Sequence, residues 1–398
     1  MAVDVTASFP PHPLEITCAI AGHCDTLDLL SLLLTNSLLN DLLTPLLYES
    51  IELTSWDIIL RCLETLAPSP DTCVFGRDRA ALVKTFIISI PKMRKPWYCS
   101  EDTISATFVP SLRRMVNLRY FSCRAGFDCS SDLLFMLATG CSPSLRSLDL
   151  RIANEIPSQL DAMCLSEVHR FHPSGLGNLH TLKLSVPDWS LPLQNVFIHN
   201  VIHSCSESLK VLAVEVVGNQ DCWESLLPRD GDFSSLQDLT LNGDALTTLL
   251  SQQATTVHAL NVLSRPPTDY NLPPDTFPEL CDLTCPSAAL SAFLSARSTL
   301  PRAISSVSLD GTVVAASFLP KHRRECPPSW RRVLASLALL RYSAVPVTTV
   351  SFAVSSIRLD DMALAVPHLS TVEELAIAMD SECDQVSASL PLRTPLTN

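Results

Sequence analysis

Apolar residues recur along much of the chain with the spacing Leu-x-x-Leu-x-Leu, which is typical of a short strand that buries one face. Four consecutive copies begin at Leu145, Leu179, Leu209 and Leu236, so they start 34, 30 and 27 residues apart. A Ser or Asn precedes the first leucine of each copy, and mostly polar residues fill the gaps. Because the spacing alone is common in a chain that is 47% hydrophobic, the prediction of a repeat rests on these stricter features.

Segments with helical spacing separate the copies. An apolar helical face follows Asp132, and further faces are predicted at 197–205, 244–250 and 287–294. One strand and one helix per repeat, at periods near the upper end of those of leucine-rich repeats, predict an α/β solenoid whose parallel strands line the concave side of a curved array. Looser copies of the strand pattern begin at Leu118, Val257, Leu280, Ile304 and Val372.

The repeat pattern sets the predicted domain organisation. The solenoid is predicted to span residues 81–380, preceded by a connector or first cap at 54–80. Residues 310–345 carry no clear copy, and residues 381–398 are predicted to be a flexible C-terminal tail.

Residues 8–53 follow a different pattern, that of three short leucine-rich helices. Asp25 is predicted to cap the second helix, and Pro45 is predicted to end or kink the third. Alternation at 51–53 predicts an opening strand. Three helices of this length cannot bury all their leucines among themselves, so the excess apolar surface must meet either the repeats or another protein.

An ordered set of motifs runs through these N-terminal helices. Pro13-Leu14-Glu15-Ile16 comes first, Asp28-Leu29-Leu30-Ser31-Leu32 follows, and Thr44-Pro45-Leu46-Leu47-Tyr48-Glu49 closes the segment. Their order and spacing resemble an F-box of the kind abundant in fungal families, and the repeats resemble the leucine-rich-repeat half of such proteins. His12 and Cys24 depart from the family's usual apolar residues. The resemblance implies that a Skp-type adaptor docks on Pro13, Leu14, Ile16, Ile20, Asp25, Leu27, Leu29 and Leu30.

The resemblance also implies a function. The chain is expected to be a non-catalytic, substrate-recognition subunit of a Skp–cullin–F-box ubiquitin ligase, with the repeats binding a protein substrate. An alternative is an adaptor-independent repeat scaffold whose N-terminal helices only cap the solenoid. A third is an enzyme, or a nucleotide-hydrolase regulator, that uses the solenoid rim. Exposure of Leu14, Ile20, Leu27 and Leu30 favours adaptor docking, whereas burial against the repeats favours the cap.

A candidate substrate surface follows from strand geometry. The leucines of each copy point inward, so the residues between and beside the last two apolar positions face the other side of the sheet. These residues have mixed charge, which suits a protein or peptide ligand better than a polyanion. The residues predicted to bind substrate are Tyr120, Arg124, Asp149, Arg151, Lys183, Glu215, Asp238 and Asn242.

The composition of the chain indicates which partners it can bind and in which cellular compartment it is expected. A net charge of −13 and a pI near 5.2 argue against nucleic acid as a partner, because its binding depends on lysine and arginine. No secretory signal or membrane span is predicted. The 15 cysteines are dispersed and mostly have apolar neighbours, which is typical of reduced, buried thiols. We therefore expect a cytoplasmic or nuclear protein.

No motif in the sequence predicts catalysis, a metal or a cofactor. His199 and His203 have a ligand-like spacing, but nothing suggests a third ligand. Cys281 and Cys285 fit core positions better than a zinc site. Gly175-Leu176-Gly177 lacks the third glycine of a dinucleotide-binding loop and leads into a strand.

Overall fold

The structure is a computed structural model of the chain. It describes residues 14–67, 78–89, 108, 110–123, 131–140, 144–151, 174–187, 192–217, 233–242, 245, 255–264, 272, 276–294, 301–309, 330–354 and 359–379. The chain divides into two compact units, which are described separately. Unit 1 comprises Met1–Phe127 with Thr139–Ser147, and unit 2 comprises Asp128–Ala138 with Leu148–Asn398.

Among the described residues, helices lie between several of the strands, and the chain combines helices with parallel strands as the sequence predicts for an α/β fold. The helices are α1 Leu14–Ala21, α2 Thr26–Leu33, α3 Ser37–Glu49, α4 Trp56–Leu66, α5 Arg79–Leu82, α6 Ser131–Gly140, α7 Pro192–Cys205, α8 Leu290–Phe293, α9 Trp330–Leu337 and α10 Leu359–Ala365. The strands are β1 Ser50–Leu53, β2 Thr85–Ile88, β3 Tyr120–Cys123, β4 Ser147–Arg151, β5 Thr181–Pro187, β6 Val211–Val217, β7 Asp238–Leu241, β8 Ala259–Val262, β9 Asp282–Cys285, β10 Ser306–Leu309, β11 Thr349–Val354 and β12 Glu374–Met379. Among the described residues, no helix is both long and apolar enough to cross a membrane.

Strand order follows chain order, and the described pairings are parallel. In unit 1, β1 pairs with β2 and β2 with β3. In unit 2, each strand from β5 to β11 pairs with the next one along the chain. Parallel neighbours need a crossover between them, and the intervening segments supply it. The prediction of parallel strands is therefore confirmed.

The apolar positions of the repeat form the core. In every described copy before the last, the first, fourth and sixth residues are between 0% and 3% exposed. Two of these copies, at Val83 and Val347, were not predicted, because Val and Phe replace most of the leucines; they form β2 and β11. The final copy, which contains Leu375 and Ile377 of β12, is only half-buried because no further described strand follows it.

One backbone carbonyl per repeat accepts two hydrogen bonds from the next repeat. The oxygen of His180, the residue before β5, accepts from the N–H groups of Lys210 at 2.8 Å and Val211 at 3.0 Å. The oxygen of Lys210 accepts in the same way from Gln237 and Asp238. This contact fixes where each strand begins relative to the strand before it. The same double acceptance occurs at Lys84, Arg119, Gln237, His258, Cys281, Ser305 and Thr348.

A side-chain hydroxyl at the start of several repeats satisfies a second carbonyl. Ser208 donates from Oγ to the oxygen of Leu179 at 2.7 Å, and Thr256 donates to Leu236 at 2.7 Å. Thr371 makes the equivalent bond to Val347 at 2.9 Å. Each acceptor is the first apolar residue of the preceding copy. This bond explains why a polar residue so often precedes the pattern.

The three N-terminal helices enclose a small core of their own within unit 1. Leu29 and Leu33 of α2 pack with Ala21 and Leu43, and each is no more than 8% exposed. Asp25 caps α2 as predicted, because its Oδ1 accepts from the N–H of Asp28 at 2.8 Å.

Of the two outcomes predicted for Pro45, that it ends α3 was wrong, because the helix includes Pro45 and ends at Glu49. Proline removes one helical hydrogen bond, at a cost of about 3 kcal/mol. Packing and a charge contact after the proline offset that cost. Leu46 and Leu47 lie against the helical core, and Glu49 pairs with Lys84 at 2.9 Å.

We expect Ser208→Ala to lower the free energy of unfolding by about 1 kcal/mol, because it leaves the oxygen of Leu179 without its hydroxyl donor. Ser308→Ala is the matched control, since its half-buried hydroxyl makes no hydrogen bond to another described residue. Denaturant titration followed by circular dichroism measures both variants. Equal midpoints for the two would contradict a stabilising role for the Ser208 hydroxyl.

Candidate protein-docking surfaces

Helix α2 carries leucines on two opposite faces, and only one of these is buried. Leu29 and Leu33 enter the helical core, whereas Leu27 and Leu34 remain 73% and 84% exposed. Leu30 lies between them on the outer side and is 41% exposed. The spacing of residues 27, 30 and 34 places all three on one side of the helix.

The neighbouring helices add apolar residues that are also uncovered. Ile16 and Ile20 lie one turn apart on α1 and are 49% and 61% exposed, and Leu38 at the start of α3 is 63% exposed. Soluble proteins seldom expose this much large apolar surface within so short a segment without using it. We call the set of residues Ile16, Ile20, Leu27, Leu30, Leu34 and Leu38 the outer apolar face.

The carboxylates are the charged groups of this helical segment, which otherwise has one histidine and neutral polar residues. Residues 14–60 contain no lysine or arginine. Asp28 and Asp41 are exposed, as is Asp25. A protein partner would therefore need an apolar patch, and positive charge at its rim would add to the attraction.

The predicted adaptor-contacting residues fall into three groups. Ile16, Ile20, Leu27 and Leu30 are exposed, and so is Asp25. Pro13 lies outside the described residues, and Leu14 begins α1 but its side chain is not described. Leu29 was predicted to meet a partner, but the structure places it in the helical core at 8% exposure, where it holds α2 in place.

The predicted substrate surface is less accessible than the sequence suggested. Asp149, Glu215 and Asn242 are 4%, 8% and 7% exposed, which corrects the expectation that they face solvent. Asn242 instead bonds both backbone groups of Val216, donating from Nδ2 to the oxygen at 3.0 Å and accepting from the N–H at 3.3 Å. Its amide therefore ties one repeat to the previous one.

The remaining predicted positions are more open. Asp238 is exposed. Tyr120 in unit 1, and Arg151 and Lys183 in unit 2, are half-buried. Arg124 lies outside the described residues. The accessible part of the predicted surface in unit 2 is therefore smaller than the sequence suggested.

Groups suited to metal binding or nucleophilic chemistry do not come together in the part of the chain that the structure describes. His199 and His203 have ring centroids 6.4 Å apart, but no third ligand joins them among those residues. Gly175 serves packing, because a Cβ there would lie 2.8 Å from the oxygen of Ala138. Burial raises the pKa of the Cys205 thiol to about 12 and that of Cys62 to about 11, so both keep their protons at neutral pH.

Two features of these surfaces were missed at the level of sequence. Leu34 and Leu38 continue the outer apolar face, and the i, i+7 spacing of Leu27 and Leu34 was a signal for the first of them. Polar residues between the last two apolar positions also continue through β8 to β11, where the copies match the pattern only loosely or, at Val347, lack its leucines.

Comparison with known proteins assigns no family to the chain. No protein-family model matches it. No curated protein matches it at a significant level.

We expect Leu27→Ser with Leu34→Ser to leave the stability of the folded chain nearly unchanged, because both side chains already face solvent. Leu29→Ser should cost about 2–4 kcal/mol, because it removes a packed side chain and buries a hydroxyl. Thermal unfolding and binding of a hydrophobic dye measure the two effects. Strong destabilisation by the outer pair would contradict the assignment of that side of α2 as free surface.

We expect Cys205 to resist iodoacetamide in the folded chain at pH 8, because burial holds its thiol protonated. Its pKa is raised above the ordinary 9.0, so the stability it contributes is complete below pH 9 and is lost as the pH rises towards about 12. Mass spectrometry of the peptide containing Cys205 measures labelling, with guanidinium-unfolded chain as the reference. Equal labelling rates in the folded and unfolded chains would contradict this burial.

Proposed function

We propose that this chain is the substrate-recognition subunit of a Skp–cullin–F-box type ubiquitin ligase. The α1–α3 segment binds the Skp-type adaptor, and the repeats hold a protein substrate. The chain itself performs no chemistry. It raises the effective concentration of substrate lysines near the ubiquitin-conjugating enzyme.

The observation that carries the proposal is the outer apolar face. Of the four residues whose exposure distinguishes an adaptor-docking helix from a cap, Ile20, Leu27 and Leu30 are exposed, and the side chain of Leu14 is not described. A cap would cover its apolar side chains with the repeats. The helical core of Leu29, Leu33 and Leu43 already stabilises the three helices, so the outer leucines remain available to contact a partner.

The parallel repeats support the second half of the proposal. Stacked strands present rows of side chains from consecutive repeats, and such extended faces suit protein ligands. The order of motifs in residues 8–53, which resembles an F-box, links the repeats to an adaptor.

A scaffold whose helices only cap the repeats is the second candidate. Packing favours it in one respect, since α3 contacts both α5 and β1. That contact uses α3, whereas the outer apolar face lies mainly on α1 and α2.

We expect the full-length chain to co-purify with a Skp-type adaptor, and Leu27→Asp with Leu30→Asp to reduce that binding at least tenfold. Each carboxylate would be desolvated in an apolar contact, at a cost of several kcal/mol. Size-exclusion chromatography and isothermal titration calorimetry with purified adaptor measure the loss.

Leu364→Asp with Val366→Asp is the matched control, because these residues are 57% and 61% exposed in unit 2. It adds the same two charges to residues outside α1–α3 and should keep full adaptor binding. Undiminished binding by the Leu27 and Leu30 variant, or no binding by the parent chain, would exclude the adaptor assignment.

A further inference from the structure

The strands of the second half of unit 2 carry charge of one sign. Strands β6 to β12 contain no lysine, arginine or histidine. Their acidic residues are Glu215, Asp238, Asp282 and Glu374, and all except Glu215 are exposed. By contrast, β4 and β5 carry Arg151 and Lys183. The mixed charge predicted for the strand surface is therefore found on β4 and β5, whereas every charged residue of β6 to β12 is acidic.

A row of small polar side chains crosses these later strands. The residue between the last two apolar positions is half-buried in each strand from β7 to β11, and none is larger than asparagine. The strand registers place these residues side by side. The side chain of none of them hydrogen-bonds another described residue, unlike the hydroxyls that begin the repeats. The row consists of Thr240, Asn261, Thr284, Ser308 and Ser351.

Two carboxylates lie beside this row with a small residue between them. Asp238, Ala259 and Asp282 occupy one register on β7, β8 and β9. At about 4.8 Å per strand, the two aspartates are about 10 Å apart. Neither forms an ion pair with a described residue. Asp282 accepts a weak contact from the thiol of Cys281 at 3.8 Å.

Nearby groups that could be cationic do not neutralise these carboxylates. His258 directly precedes Ala259, but its Nε2 lies 3.4 Å from Oε2 of Glu279. Lys210 precedes β6 and is exposed, and no ion pair joins its side chain to a described residue. The face formed by Asp238, Ala259, Asp282 and the polar row thus keeps its negative charge. We call it the acidic strand face.

We propose that the acidic strand face binds an extended, lysine- or arginine-bearing segment of a partner protein. The carboxylates of Asp238 and Asp282 receive two basic side chains, and the polar row hydrogen-bonds the backbone of the segment. An extended segment of the polyproline-II type has three residues per turn and rises about 3.1 Å per residue, so basic residues three positions apart lie on the same side, about 9 Å from each other, which matches the distance between the two aspartates. Ala259 leaves room for the chain between them.

This inference rests on the proposed function, because it names the class of substrate segment that the repeats hold. Charge complementarity decides the occupant: a surface without cations repels nucleic acid and acidic peptides and attracts basic ones. The small size of the row allows a backbone to approach closely, which large side chains would prevent.

The test measures peptide binding to the full-length chain. A fluorescein-labelled Gly/Ser peptide with Lys at positions i and i+3 is titrated by fluorescence anisotropy, and an equal-length peptide with Glu at those positions is the ligand control. We expect saturable binding of the lysine peptide that weakens as salt rises. Asp238→Asn with Asp282→Asn should weaken it about threefold to thirtyfold, as the loss of two exposed ion pairs implies.

Two further variants keep the result decisive. Glu64→Gln with Glu207→Gln removes the same two charges from exposed positions outside the strands and should bind the peptide like the parent. Ala259→Lys supplies a cation between the aspartates and should compete with the peptide. Full affinity in the Asp238 and Asp282 variant, an equal loss in the Glu64 and Glu207 variant, or equal binding of the glutamate peptide would each overturn the proposal.

Adaptor binding is measured in parallel on the same proteins. The Asp238 and Asp282 variant should keep full adaptor binding, and the Leu27 and Leu30 variant should keep full peptide binding. A parent chain that binds the lysine peptide but no adaptor would exclude the ligase function and support the acidic strand face. A parent chain that binds the adaptor but not the peptide would exclude the acidic strand face and leave the ligase function supported.

Discussion

The architecture depends on the carbonyl that accepts two N–H groups from the next repeat. At the residue before nine of the described strands, such as His180 or Lys210, this contact sets the position at which the following strand begins. Once that position is fixed, the Leu-x-x-Leu-x-Leu spacing places three side chains of each strand in line with those of its neighbour. The core is therefore continuous from strand to strand because the backbone sets the register first.

Because the backbone contact sets the register and the apolar spacing fills the core, the strands can stay regular while the repeat lengths vary. The strict copies at Leu179, Leu209 and Leu236 begin 30 and 27 residues apart, yet their strands β5, β6 and β7 pair without a break in register. A longer connection changes the entropy of loop closure only slightly, whereas a one-residue slip would turn every leucine to the wrong face.

The sequence predicted the parts of the fold that depend on periodicity. Strands β4 to β7 and the cap at Asp25 follow from local patterns and were confirmed. Strands β2 and β11 were missed because Val, Phe and Ile replace leucine there, although burial is equally complete. Pro45 was misjudged because packing after the proline, which a local rule does not include, keeps α3 continuous.

The candidate sites were harder to predict, because exposure depends on what neighbouring elements need. Alternation along a strand correctly separates inward from outward residues. Asn242 faces outward, but its amide is already hydrogen-bonded to the backbone of Val216 in the previous repeat. On α2, both leucine faces look alike in sequence, and only the packing of α1 and α3 shows which of them stays exposed.

Hydroxyl side chains also differ in whether the fold already engages them. Ser208 and Thr256 are committed to carbonyls, whereas Thr240 and Ser308 bond no other described residue. A partner can bind the side chains that stay accessible in the fold. On the N-terminal helices these side chains are apolar, whereas on the later strands they are acidic or polar. The two surfaces therefore suit two different partners, as a protein that joins a substrate to an adaptor requires.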